Sequence, residues 1–310
     1  MARARGKVIL LGEHAVVYGV PALAAGIERG AHAVARPAKS SLIRLGDRSV
    51  AAGDESEISR AFAALLGTLS APPLELEVTL ELPPGCGLGA SAAIAVAAAR
   101  AVIELEDPAP PGTESPERAA RVLAAAHAWE SVFHGNPSGV DAAAAAAGGC
   151  IAFTRGETPA PVRLGAPLEL AIAIAGPPAS TKLMVEGVAR LRERRPEVVN
   201  KALEGIRSLV NNARLSIEAG DLSALGKLMD LNQMLLSGLF LSTEDIERAC
   251  KLARDAGALG AKLTGSGGGG CVIALTRGGA APVLAAWQGA GLRCFETVVT
   301  DDTLAQGAAP

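Results

Sequence analysis

Near the start of the 310-residue chain a lysine, a glutamate and a histidine fall within eight residues, in Lys7-Val8-Ile9-Leu10-Leu11-Gly12-Glu13-His14. A second segment, Pro83-Pro84-Gly85-Cys86-Gly87-Leu88-Gly89-Ala90-Ser91-Ala92-Ala93, runs from an alternating apolar stretch into a run of good helix formers. Glycines feeding a helix N-terminus make an anion site: successive backbone N–H groups and the positive helix end face the ligand, and missing Cβ atoms allow close approach. Ser91, in the first helical turn, could place a hydroxyl on a magnesium ion carried by the same phosphates. A third segment, Glu130-Ser131-Val132-Phe133-His134-Gly135-Asn136-Pro137-Ser138-Gly139-Val140-Asp141, carries one carboxylate at a helix end and another just ahead of six alanines. The fourth, Lys262-Leu263-Thr264-Gly265-Ser266-Gly267-Gly268-Gly269-Gly270, has five glycines in six positions. A cation, two carboxylates and an anion cradle are the parts phosphoryl transfer needs, because that chemistry rests on positioning and charge stabilisation.

Each segment has a second reading. Gly85, Gly87 and Ala90 also satisfy a loose GxGxxA dinucleotide pattern, with Glu104, Glu106 and Asp107 placed for a ribose contact, and a tight helix–sheet turn would use the same glycines. A Walker loop is excluded, since no Lys-Ser or Lys-Thr pair follows them. The later glycines could be a flexible linker, although they stand between a helix and a buried strand; their conformational cost fits close approach to a ligand or to the first loop better. Lys7 taken alone reads as a surface charge and His14 as a satisfied core histidine. Asp141 in an alanine helix is costly to bury without a partner, and N-capping by Ser138 or Asp141 is the plain structural alternative to catalysis.

Composition narrows the classes. Lys plus Arg number 29 against 32 Asp plus Glu, a net charge of −3, which does not suit an electrostatic nucleic-acid binder. The five cysteines lie far apart with no CxxC pair, so neither a zinc module nor a disulfide framework is indicated and a reducing cytoplasm fits. Arg3, Arg5 and Lys7 ahead of Val8–Leu11 imitate a signal peptide until Glu13-His14 interrupts. No apolar run approaches the ~18 residues of a membrane span, so a soluble protein is expected. The chain has 36 Gly but only 5 Phe, 2 Trp and 1 Tyr, so its core must rely on aliphatic side chains and close backbone contact.

The elements that would position these residues can be outlined. Val8–Leu11 and Ala15–Tyr18 read as strands around Gly12-Glu13-His14, and Leu42–Leu45 with Arg48–Ala51 as a hairpin. Leu74–Leu82 alternates apolar with Glu and Thr, a strand with one buried face that ends at Pro83. A proline-rich connector over 107–115 precedes a helix over 117–133. Leu168–Ala175 reads as a strand, Lys182–Leu235 as helices broken near Pro196 and Gly220, and a helix after Thr243 stops at Gly257. Strand Cys271–Leu275, helix Ala281–Ala290 and strand Cys294–Thr300 follow, so the class is α+β, of about two domains.

The four segments, in this order, resemble the motifs of the GHMP kinases. KVILLGEHAVVYG (7–19) is similar to the family's opening pattern, PPGCGLGASAA (83–93) to its phosphate loop, ESVFHGNPSGVD (130–141) to its metal-and-base segment and KLTGSGGGGC (262–271) to its last motif. The wording GEHAVVYG and HGNPSGVD is similar to the mevalonate-phosphorylating branch. The resemblance implies an S5-domain-2-like N-terminal domain over 1–167, a ferredoxin-like C-terminal domain over 168–310, and a site in the cleft between them. It further implies ATP-dependent phosphorylation of the primary hydroxyl of (R)-mevalonate, with another small-molecule kinase of the family, such as one acting on phosphomevalonate, or a non-catalytic ligand sensor as alternatives. On this reading Pro84, Gly85, Cys86, Gly87, Leu88, Gly89, Ala90, Ser91 and Gly267 bind the ATP phosphates, and Ser91 and Glu130 ligate Mg²⁺. Asp141 takes the hydroxyl proton, Lys7 favours the alkoxide, and Glu13, His14, Ser138 and Thr181 shape the mevalonate pocket. The implied partners are mevalonate and ATP, with no nucleic acid or membrane and with room for a homodimer. Ala90 stands where the family commonly has a second serine. A hydride transferase would need neither Glu130, Asp141 nor a second glycine loop, which removes the dinucleotide alternative.

Overall fold

A computed structural model describes residues 1–83, 85–108, 114–135, 137–177 and 179–301. Pro84 and the middle of the proline-rich connector lie outside the described residues. In chain order the elements are β1 (Ala2–Leu11), β2 (Ala22–Pro37), β3 (Leu42–Leu45), β4 (Arg48–Ala51), α1 (Glu57–Leu69), β5 (Leu74–Leu80), α2 (Ala90–Glu106), α3 (Pro116–His134), α4 (Val140–Ala147), β6 (Cys150–Phe153) and β7 (Ala160–Pro161). They continue with β8 (Leu168–Gly176), α5 (Thr181–Arg194), α6 (Pro196–Ala219), α7 (Leu222–Gly238), α8 (Glu244–Asp255), β9 (Gly260–Thr264), β10 (Gly270–Thr276), α9 (Ala281–Gly289) and β11 (Cys294–Val299).

By compactness the chain forms two units that are not single stretches. One comprises Met1–Gly6, Arg29–Pro83 and Gly89–Ala146, the other Lys7–Glu28, residues 85–88 and residues 147–301.

In the first unit, β5 pairs antiparallel with the outer part of β2 (Ala31↔Leu80 to Pro37↔Leu74) and parallel with β3, and β3 forms a hairpin with β4. The alternation in Leu74–Leu80 buries Leu74, Leu76 and Val78. Helices α1, α2 and α3 supply Phe62, Leu65, Val96, Val122 and Trp129 to the core. The starts of α1 and α3 are specified locally: Ser56 and Ser115 accept N-cap bonds from Ser59 and Arg118, and Pro116 occupies the first turn of α3. The alanine face of α2 and the alanines of α4 pack without side-chain entropy loss, the aliphatic solution required by so few aromatics.

In the second unit, β8, β9, β10 and β11 form an antiparallel sheet ordered β11-β8-β10-β9. Helices α5–α8 fall between β8 and β9 and α9 between β10 and β11, the split β-α-β-β-α-β arrangement of a ferredoxin-like domain. β10 is buried along its whole length between β8 and β9. Trp287 of α9 fills the space beneath and donates to Ala249 O of α8 at 2.9 Å. Among the described residues no helix is long and apolar enough to cross a membrane.

One local reading is corrected. Ala15–Tyr18 is a 3₁₀ turn, not a strand. Gly12 (φ 101°) and His14 (φ 58°) turn the chain in the left-handed region, Val16 N bonds Gly12 O at 3.1 Å and Val17 N bonds His14 O at 3.1 Å, and Gly19 closes the turn at φ 76°.

Candidate active site

In the first unit, Ser91 lies in the opening turn of α2 and Glu130 in the last turns of α3. The fold brings these residues, 39 positions apart, into direct contact: Ser91 Oγ donates to Glu130 Oε1. Trp129 Nε1 donates to the same Ser91 oxygen at 3.2 Å, so an indole fixes the hydroxyl's direction. Glu130 is buried, with His134 Nε2 3.8 Å from its other oxygen one helical turn on. A buried carboxylate beside a hydroxyl is a pair of hard oxygen donors of the kind magnesium prefers. Asp141 sits half-buried in the first turn of α4. Ser138 Oγ accepts from Val140 N, the first residue of α4, at 3.4 Å.

In the second unit the two glycine loops lie backbone against backbone. Gly85 and Gly87 have φ of 75° and 79°, and a methyl group on Gly87 would stand 3.0 Å from Thr264 O. One on Gly265 would meet Gly87 Cα at 3.2 Å, and one on Gly270 would meet Cys86 O at 3.2 Å. Close approach to the first loop is thus what the later glycines provide, and the linker reading is excluded. Gly267 is equally constrained, at φ 73° with Leu241 O 2.3 Å from the site of a Cβ. Lys7 is buried, with its backbone N–H bonded to Leu88 O at 2.9 Å, so it is no surface charge.

Glu13 and Lys262, both fully buried, form an ion pair across 249 residues of sequence. Lys262 Nζ also donates to Leu263 O at 2.5 Å and Ile9 O at 3.4 Å, while Asn232 Nδ2 donates to the second Glu13 oxygen at 3.1 Å. Desolvation pushes the Lys262 ammonium below its usual range, and Glu13 opposes that push. Thr264 Oγ1 accepts from Ile9 N at 2.8 Å, so side chains of β9 hold the end of β1. Gln233 ties α7 into the same network, accepting from Leu263 N at 2.9 Å and donating to Glu247 at 2.9 Å.

Next to Glu13, His14 is buried, and desolvation lowers its pKa from 6.5, so the ring is neutral near pH 7. Its Nε2 lies 2.8 Å from Ser266 O, a contact that requires the proton on Nε2 and leaves Nδ1 as an acceptor. Thr181 Oγ1 donates to Ser266 Oγ at 3.3 Å. His14 and Thr181, 167 positions apart in sequence, therefore converge on the one serine of the second glycine loop. Lys262, Asn232, Ser266 and Trp129 were given no separate roles from sequence. The only sequence signals were a lysine inside an apolar strand and a lone side chain among glycines.

The GHMP kinase N-terminal domain model matches residues 56–149 and the GHMP kinase C-terminal model residues 213–291. The chain belongs to the GHMP kinase family. It is 35% identical to a mevalonate kinase of Aeropyrum pernix over 90% of this chain and 89% of that one. Among solved structures, the L. major mevalonate kinase in complex with R-mevalonate superposes with a TM-score of 0.83 at 28% identity, covering 97% of this chain and 95% of that one. A Streptococcus pneumoniae phosphomevalonate kinase shares the fold, with a TM-score of 0.77 at 18% identity, covering 96% of this chain and 99% of that one.

Proposed function

We propose that the chain transfers the γ-phosphoryl group of ATP to the primary hydroxyl of (R)-mevalonate, giving 5-phosphomevalonate. The observation that carries phosphoryl transfer is the Ser91–Glu130 contact at the start of the helix that follows the glycine loop. The substrate is carried by the similarity, which spans the mevalonate kinases almost end to end. Phosphomevalonate is the second candidate, supported by likeness of fold alone.

On this reading the backbone N–H groups of residues 85–91 bind the triphosphate, with Gly267 beneath it. Ser91 and Glu130 would hold Mg²⁺; among the described residues no group of three or more His, Cys, Asp or Glu could hold a metal ion, so phosphate oxygens and water would complete its shell. When bound, the metal neutralises charge on the transferring phosphates. Asp141 accepts the proton of the attacking hydroxyl, and Lys7 favours the alkoxide. His14 presents Nδ1 as an acceptor for a substrate hydroxyl, and Thr181 and Ser138 are assigned substrate contacts by the same resemblance. Glu13 acts there through its neighbour, since both of its oxygens are engaged by Lys262 and Asn232. A cytoplasmic location goes with five cysteines that form no disulfide.

The test is ADP release with mevalonate, phosphomevalonate, homoserine and galactose, using wild type and Asp141→Asn. Mevalonate should be the preferred acceptor, and the variant should lose on the order of 10²-fold or more. Equal turnover by both proteins refutes the role of Asp141, and inactivity with mevalonate refutes the substrate.

A further inference from the structure

The phosphate loop carries a thiol that phosphoryl transfer does not use. Cys86 stands between Gly85 and Gly87, and its sulfur is hydrogen-bonded to the sulfur of Cys271. Cys271 is the first residue of β10 after the glycine loop, where the pairing of β10 with β8 shifts register between Gly270 and Cys271. The close fit of Gly270 against Cys86 O holds the two backbones together, so the sulfur contact follows from glycine packing. We propose that Cys86 and Cys271 are a redox pair which a peroxide converts to a disulfide, tying the phosphate loop to the second glycine loop and weakening nucleotide binding.

The chemistry of the pair is asymmetric. The bond from Cys271, aided by Arg293, holds the Cys86 thiol down to about 7 against the opposing effect of burial, while the same sharing and burial drive Cys271 up. Cys86 is therefore the sulfur that carries thiolate near neutral pH. It is 5% exposed beneath an exposed Gly85 and a half-exposed Gly87, which places it one layer from solvent. By contrast Cys150 and Cys250 are buried and pushed up to about 12, which leaves them inert.

In the first step the Cys86 thiolate attacks the peroxide: an S–O bond forms, the O–O bond breaks and hydroxide leaves, giving a sulfenic acid. In the second the Cys271 sulfur attacks that sulfur: the S–S bond forms, the S–O bond breaks, and the oxygen departs as water with the Cys271 proton. The two thiols lose two electrons and the peroxide gains them. Sulfurs in hydrogen-bond contact must close to about 2.05 Å in a disulfide, so the loop backbone has to move by on the order of 1 Å. A cradle of fixed N–H groups is sensitive to a shift of that size.

The consequence for nucleotide rests on the phosphate-binding reading above; the linkage does not. Reduced protein is titrated with hydrogen peroxide, peptides are mapped without reductant, and affinity for a non-hydrolysable ATP analogue is measured before oxidation, after it and after dithiothreitol. A Cys86–Cys271 peptide lighter by its pair of thiol hydrogens is expected, with affinity lowered roughly tenfold or more and restored by dithiothreitol. Cys271→Ala should bind the analogue like wild type when reduced and yield no linked peptide. The redox pair is overturned if Cys86 is recovered only unmodified or as sulfinic acid, and its regulatory effect is overturned if linked protein binds the analogue like reduced protein. Failure of reduced wild type to bind the analogue refutes instead the phosphate-loop reading, and peptide mapping still decides the pair.

Discussion

Replacing Lys262 by Met removes the cation that neutralises Glu13 while filling most of its volume. Among the described residues, the hydrogen bond left to the carboxylate is one amide N–H, from Asn232 at 3.1 Å. Glu13 is fully buried, so water cannot take the place of the ammonium. Breaking a buried pair by removing one partner costs about 3–5 kcal/mol, far above the ~0–1 kcal/mol of an exposed pair. Ile9 O and Leu263 O each lose a donor as well. Against a total stability of about 5–15 kcal/mol this is a large fraction. With a slope of about 3 kcal/mol per molar, the upper end of the usual range because the slope grows with chain length, the urea midpoint should fall by on the order of 1–2 M. One control separates charge from packing. Glu13→Gln with Lys262→Met removes the orphan charge and should recover more than half of the loss, a coupling of about 2 kcal/mol. A Lys262→Met protein within ~1 kcal/mol of wild type near pH 8, or a double variant no better than the single, refutes the reasoning.

Much of this architecture could be read ahead of the structure wherever a local signal was strong. The glutamates facing solvent from Leu74–Leu80 announce a strand, Pro196 and Gly220 punctuate α6, and Ser115-Pro116 starts α3. The misses have physical causes. The inner part of β2 is buried on both faces, so Ala22–Ile27 shows no alternation to distinguish strand from helix. The 3₁₀ turn at Ala15–Tyr18 depends on a left-handed His14, which nothing in residue type announces. At the site, residue types and motif order were legible because phosphate chemistry demands glycine, hydroxyl and carboxylate in fixed places. The support was not: the Glu13–Lys262 pair and the convergence of His14 and Thr181 on Ser266 join residues with no sequence relation. They arise where the end of β1 meets β9 and where the start of α5 meets the second glycine loop. Glu13 shows the limit most clearly, since the sequence places it among polar pocket residues and the structure encloses it with both oxygens engaged.

Two further outcomes follow from the same geometry. Ser91→Ala leaves Glu130 Oε1 and Trp129 Nε1 without their shared partner, and unmade buried bonds cost about 1–3 kcal/mol. The variant should lose stability in that range in urea titrations and require more Mg²⁺ for half-maximal turnover; an unchanged Mg²⁺ requirement removes Ser91 from the proposed ligand set. The remaining case is pH. His14 has a folded-state pKa depressed below 6.5 by burial, so between that folded value and 6.5 the unfolded chain binds more protons than the folded one. Stability therefore rises with pH through this window and is lost on acidification below 6.5, by at most about 1.4 kcal/mol per pH unit from one group. Asn is the replacement that isolates the effect, because it tolerates the φ of 58° and carries no titrating proton. Urea stability measured from pH ~5 to ~7 should fall more steeply on acidification for wild type than for His14→Asn, with the curves converging in slope above 6.5. Parallel curves would mean that the imidazole accepts its proton without leaving the Ser266 carbonyl, and the neutral ring assigned to the pocket would have to be abandoned.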